Sequence, residues 1–162
     1  MTAKQYVERL DWASAIAAAT LELDTKSGQN EESYLYRGIA RCFFPDEEGK
    51  HKEAIDDLSK TIFHYTNQGA NNGEAYYYRA YAFYLDGDYE RAIADCKCIS
   101  TNNTYPYGDE LFGKIYYAMG KYKEAVDSFV IVMNFCLTQN PPILNLGLLE
   151  SYREACKKMN SV

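Results

Sequence analysis

One short motif recurs four times in this chain in the same form, and it leaves few folds open. Gly87-Asp88-Tyr89 leads into Ala92-Ile93, Gly120-Lys121-Tyr122 into Ala125-Val126, Gly49-Lys50-His51 into Ala54-Ile55, and Leu10-Asp11-Trp12 into Ala15-Ile16. The alanines Ala15, Ala54, Ala92 and Ala125 stand 39, 38 and 33 residues apart. A period of this length marks a stack of supersecondary units, each of which can bury its apolar side only against the next.

The stretch from Glu74 to Cys96 shows what one unit is. Tyr76, Ala80 and Phe83 fall at helical spacing on one face, Tyr89, Ala92 and Cys96 do the same, and Gly87 separates the two runs. A residue without Cβ enters the left-handed conformation that ends a helix at no steric cost, so Gly87 is the stop between two helices. Small Ala80 opposite small Ala92 lets the backbones approach, where larger side chains would overpack at a cost of roughly 1–3 kcal/mol. The unit is an antiparallel helical hairpin.

These residues carry a family resemblance. Tyr76, Ala80, Phe83, Gly87, Tyr89 and Ala92, then Phe112, Gly113, Tyr116, Gly120, Tyr122, Ala125 and Phe129 in the following unit, are similar to the tetratricopeptide pattern. Tyr34, Gly38, Ala54 and Leu58 match it in the preceding unit. That unit departs from the pattern where Arg41 replaces the usual aromatic, and where the spacer from Gly38 to Ala54 is longer than that from Ala80 to Ala92, with the excess in the acidic turn 43–48. The usual proline at the end of a unit is missing after Leu58, and the helix before Trp12 is short.

The resemblance implies an all-α fold: a right-handed superhelical stack of antiparallel helix pairs, the tetratricopeptide solenoid, with a C-terminal capping helix. The expected organisation is a single domain over 1–162: a partial first repeat at 1–23, a repeat with a longer inter-helix loop at 31–65, repeats at 73–100 and 107–137, and a capping helix at 141–160. Asn140 as cap and Pro141 at the first helical position would start this last helix, because proline there forfeits no hydrogen bond. Leu144, Leu148, Tyr152, Ala155 and Met159 then form its apolar stripe.

Composition narrows function. A net charge of −6 argues against nucleic acid or an anionic membrane as the main partner, since both favour a cationic face, and it favours basic or neutral partners. Residues 1–9 do not resemble a signal peptide, so a cytoplasmic chain is expected. Five cysteines, an odd number set in helical patterns, read as reduced thiols rather than a disulfide framework. The run Gly108-Asp109-Glu110-Leu111-Phe112-Gly113-Lys114 has the spacing of a phosphate loop but is followed by Ile115, which offers magnesium no hydroxyl, and no strand precedes it. His51 and His64 lack metal-ligand spacing, and Asp56-Asp57, adjacent on a helix, read as solvated charge rather than an acid/base pair. No cofactor, no metal and no enzymatic activity are expected.

Tyrosine is the remaining signal, at sixteen residues. The resemblance implies that the first helix of each hairpin lines a concave groove. On the central one Glu74, Tyr77, Tyr81 and Tyr84 would face it, on the next Tyr107, Glu110, Lys114 and Tyr117, and on the preceding one Leu35, Ile39 and Cys42. Family members that hold acidic chaperone tails use Lys and Asn where Tyr77 and Tyr81 stand, so a carboxylate clamp is not expected. Tyrosines supply rigid contact area with a polar tip. The expected function is a protein-interaction scaffold that binds a peptide or partner segment in a Tyr-rich groove. The alternatives are a self-associating structural module, such as a homodimer in which a second copy covers these rings, and a small bacterial secretion-type chaperone; coverage of the rings by the chain's own N-terminal helix is the competing reading of the stripe.

Overall fold

Short polar side chains stand at several helix starts of this chain and hold the first amides. The computed structural model describes residues 1–25, 30–44, 50–70, 72–99, 107–139 and 145–161, and among them nine helices are present: α1 (Ala3–Glu8), α2 (Trp12–Thr25), α3 (Glu31–Phe43), α4 (Lys50–Asn67), α5 (Gly73–Leu85), α6 (Tyr89–Cys96), α7 (Tyr107–Ala118), α8 (Tyr122–Thr138) and α9 (Leu146–Met159). Thr2 and Gln5 form a reciprocal capping box on α1. Asn72 accepts from the Ala75 amide at 3.1 Å, Asp88 from the Arg91 amide at 3.1 Å, and Asn145 from the Leu148 amide at 2.9 Å.

Asn145, in extended conformation, caps the last helix, so it begins at Leu146 rather than at Pro141; Asn140 and Pro141 themselves lie outside the described residues, as do Leu144 and the loop expected over 45–48. Either asparagine satisfies the local capping rule. From its start at Asn145, α9 sets Leu148 and Ala155 against α8.

The turns inside the hairpins share one geometry. Gly87 and Gly120 sit at φ 76° and 74°, and the next amide bonds back five residues, Asp88 to the Phe83 carbonyl at 2.9 Å and Lys121 to the Tyr116 carbonyl at 2.9 Å. The first hairpin makes the same bond, Asp11 to the Tyr6 carbonyl at 3.0 Å, with Leu10 at φ 58° in the place of glycine. A side chain in this conformation is strained, and that of Leu10 is 69% exposed and buries little in return. Leu10→Gly is therefore expected to stabilise the chain by about 0.5–1 kcal/mol in denaturant titration, the relief of strain being partly offset by the entropy of glycine.

The chain divides into two compact units, Met1–Cys98 and Ile99–Val162. In the first, each helix packs on its successor, and α3 also touches both α1 and α5, so the odd-numbered helices share a face. In the second, α7, α8 and α9 pack mutually, and α9 covers the apolar side of α8 around Phe129, Val132 and Cys136. Close approach is visible at two glycines. A Cβ on Gly38 would lie 2.7 Å from Leu58 Cγ, and one on Gly113 would lie 2.3 Å from the Phe129 ring. Ala80 and Ala92 are fully buried, as the spacing predicts.

One structural device escaped the sequence reading. Arg37 grips Asp57 through two bonds of 2.8 and 2.9 Å and reaches the Thr20 hydroxyl at 3.3 Å. Arg79 repeats this with Asp95 at 2.7 and 2.8 Å and the Ser59 hydroxyl at 3.0 Å. Each arginine precedes the small residue of its helix, each aspartate lies three beyond the alanine of the next, and each hydroxyl sits on the preceding hairpin. The charge clasp thus ties a hairpin internally and to its neighbour. Asp57 is accordingly not the solvated charge expected of it: it is 1% exposed and also receives Arg41, which reaches Glu53 at 2.9 Å. Its neighbour Asp56 does face solvent, paired with Lys60.

Candidate tyrosine-bearing face

Along α5, Tyr77, Tyr81 and Tyr84 recur every three or four residues and so lie in one stripe, each half-buried. Tyr81 and Tyr84 have ring centroids 6.2 Å apart, and Tyr84 meets Tyr89, at the start of α6, at 6.3 Å. Tyr77 meets Tyr78 edge-on at 5.1 Å. The stripe continues into earlier hairpins: Tyr81 stacks on Phe43 of α3 at 5.6 Å, and Phe43 stacks on Trp12 of α2 at 4.9 Å. Phe43 and Trp12 were absent from the expected lining. Their one sequence signal is position, at the C-terminal end of a first helix and the N-terminal start of a second.

Leu35, Ile39 and Cys42 are a correction. They are 4%, 1% and 6% exposed, in a core shared with Ala54, Leu58 and Ala82, and Val7 of α1 packs against that same core. The short N-terminal helix folds over the place a ligand was expected to take on α3. It is held there by Glu22 of α2, which accepts from the Ala3 amide at 3.2 Å and from the Ser33 hydroxyl at 2.5 Å. Tyr36, one residue along from Leu35, is partly buried and packs against the same core as Tyr78 and Tyr81.

The electrostatics of this face are acidic. Tyr36 has its pKa pushed up to about 12, by burial first and then by Glu74, Glu32 and Glu8. Glu74 is also raised, because the surrounding atoms desolvate its carboxylate although it stays open to water, while Lys4 opposes the shift. Burial pushes the Cys42 thiol up to about 12, which leaves it unreactive as a nucleophile.

In the second unit, Tyr107 is 53% exposed, and Lys114 donates to Glu110 one turn back at 2.8 Å. Tyr117 sits edge-on to Tyr122 at 5.5 Å and lies against the core of that unit. Elsewhere, a cavity of about 250 Å³ opens at the other end of α3, between Asn30, Glu31, Tyr34 and the α4 residues Lys60 and His64. Among the described residues no group of His, Cys, Asp and Glu could hold a metal ion, and no helix is long and apolar enough to cross a membrane. All five cysteines are free thiols.

A family model described as anaphase-promoting complex, cyclosome, subunit 3 matches residues 62–130, which run from late α4 through most of α8. No curated protein matches the chain. The matched model is of tetratricopeptide type, and repeats of that type mediate protein–protein interactions. Stacked hairpins with small residues in phase, left-handed glycines at the turns and a matching family model together make this chain a tetratricopeptide-repeat protein.

Proposed function

We propose that the chain is a non-catalytic interaction scaffold that holds a peptide or partner segment on the α5 stripe Tyr77, Tyr81 and Tyr84, extended by Phe43 and Trp12. The observation that carries this reading is the continuous series of half-buried and exposed rings contributed by three helices of one unit. Rings of this kind offer large contact area with little side-chain entropy left to lose, and their hydroxyls accept a variety of polar partners. A cytoplasmic setting belongs to the same proposal, since it keeps thiols reduced. Tyr107, Lys114 and Tyr117 remain candidate contacts in the second unit.

Tyr81 is the anchor, because it touches both Phe43 and Tyr84. Tyr81→Ala is expected to weaken partner binding by about 2 kcal/mol, close to thirtyfold, while the far-ultraviolet dichroism stays unchanged. Tyr81→Phe, which keeps the stack, is expected to retain most of the affinity. A partner captured from the native source and titrated by calorimetry with equal affinity for all three proteins would contradict the reading.

Self-association is a second reading with its own observation. Ile131 and Leu137 of α8 and Leu146 of α9 are 52%, 67% and 62% exposed in the second unit. Light scattering across a concentration series separates the two: a mass that doubles, and that returns to monomer on Ile131→Lys, favours the dimer.

A further inference from the structure

We propose that the cavity at the start of α3 is a binding site separate from the α5 stripe, and that it takes a neutral planar carboxamide. The ligand's N–H donates to Glu31 Oε2 and its C=O accepts from Asn30 Nδ2. The cavity measures about 250 Å³ and lies between Asn30, Glu31 and Tyr34 on one side and Lys60, Phe63 and His64 of α4 on the other. The Thr61 hydroxyl donates to the Glu31 carbonyl at 3.3 Å, which fixes the start of α3 on α4.

Two polar atoms of the lining side chains have nothing to bond. Asn30 Nδ2 and Glu31 Oε2 are buried without a hydrogen-bond partner among the described residues. Leaving such atoms unpaired is unfavourable, and a ligand that bonds both removes the penalty. Asn30 stands at the N-cap of α3, yet its side chain makes no capping bond, whereas Asn72, Asp88 and Asn145 all make theirs. The other oxygen of Glu31, Oε1, lies 3.3 Å from His64 Nε2, which steadies the carboxylate. Both side chains are only half-buried, and small turns about their soft terminal torsions bring the two atoms to the cavity.

The lining also selects the class of ligand. An anion meets the Glu31 carboxylate, and a cation meets Lys60, whose ammonium sits 5.1 Å over the Tyr34 ring. A neutral group avoids both. An unpaired donor beside an unpaired acceptor is the complement of a carboxamide, which carries one of each in a single plane. Phe63, 70% exposed, offers a ring for the planar ligand to cover. This chemistry is shared by the Gln or Asn side chain of a partner segment and by a free small carboxamide.

The test titrates the full chain, labelled with ¹⁵N, with benzamide, benzamidinium and benzoate. These planar isosteres present a donor with an acceptor, donors only, and acceptors only. Benzamide is expected to bind about tenfold tighter than either of the others, with shift changes gathered at Asn30, Glu31, Tyr34 and His64. Asn30→Asp exchanges the donor for an acceptor at nearly unchanged shape, and aspartate serves equally well at an N-cap, so the fold is kept. That variant should lose the preference for benzamide and bind benzamidinium tightest. N-acetylglutamine methylamide, beside its glutamate and methionine counterparts, separates the two sources. Tighter binding of the glutamine compound assigns the site to a partner side chain; benzamide binding with no glutamine preference assigns it to a free small molecule, and either result upholds the proposal. Any other order of the isosteres in the wild type, an order unchanged by Asn30→Asp, or no saturable shift at these residues overturns it. The stripe reading stands in each of those cases, because the Tyr81 variants test it separately.

Discussion

Asp57→Ala is expected to lower the unfolding free energy by about 3–5 kcal/mol, the largest loss available to any exchange of a charged residue in the first unit. The carboxylate is buried and accepts from both Arg37 and Arg41, so its removal leaves two largely covered guanidiniums without their main partner. The hold on Thr20 loosens with it, because Arg37 reaches that hydroxyl from the same fork. Asp56→Ala, one residue away on the same helix but facing solvent, is expected to stay within about 0.5 kcal/mol, as an exposed pair contributes little. Arg37→Ala combined with Asp57→Ala should cost less than the two single losses added, since the pair fails together. Urea titration of these four variants against the wild type decides. Equal midpoints for Asp56→Ala and Asp57→Ala would show that the clasp does not contribute to stability.

Phe129→Ala should cost the second unit about 3–5 kcal/mol, the range for deleting a fully buried aromatic side chain. Its ring fills the space that the missing Cβ of Gly113 leaves, so the two positions are one packing decision. Gly113→Ala alone pushes a methyl into that ring and is expected to destabilise by about 1–3 kcal/mol, in spite of the better helix propensity of alanine. In the Phe129→Ala background the same methyl enters the vacated cavity, and its effect should fall to near zero or become stabilising. The two changes must then be strongly non-additive in thermal unfolding. An additive pair would mean that α7 and α8 do not meet through these residues.

The fold was legible because its geometry is written in residues that tolerate few alternatives. Only small side chains permit the approach at Gly38, Ala80 and Gly113, and glycine at 87 and 120 marks where the chain reverses. The first hairpin's turn was legible by phase alone, since Leu10 adopts the conformation glycine would take. The start of α9 was less so, because Asn140 and Asn145 satisfy the same local rule, and the capping bond at Asn145 depends on where the helix meets α8.

The binding face was half legible. Tyr77, Tyr81 and Tyr84 follow from helical spacing, but Leu35 and Ile39 at matching positions are core residues. An apolar side chain at such a place reads the same whether it meets a ligand or the chain's own α1. Phe43 and Trp12 come from different hairpins, and nothing local joins them to Tyr81. The Arg37–Asp57 and Arg79–Asp95 clasps stand in plain phase with the alanines, yet each charge considered with its immediate neighbours looks like surface.

Amide and indole chemical-shift mapping of the full chain, titrated with a peptide that bears aromatic and basic side chains, tests the central claim most directly. The largest changes are predicted at Phe43, Tyr77, Tyr81 and Tyr84 and at the single indole N–H, that of Trp12, which stacks on Phe43. An unmoved indole, with the changes gathered on α8 and α9, would contradict the assignment of this face as the binding surface.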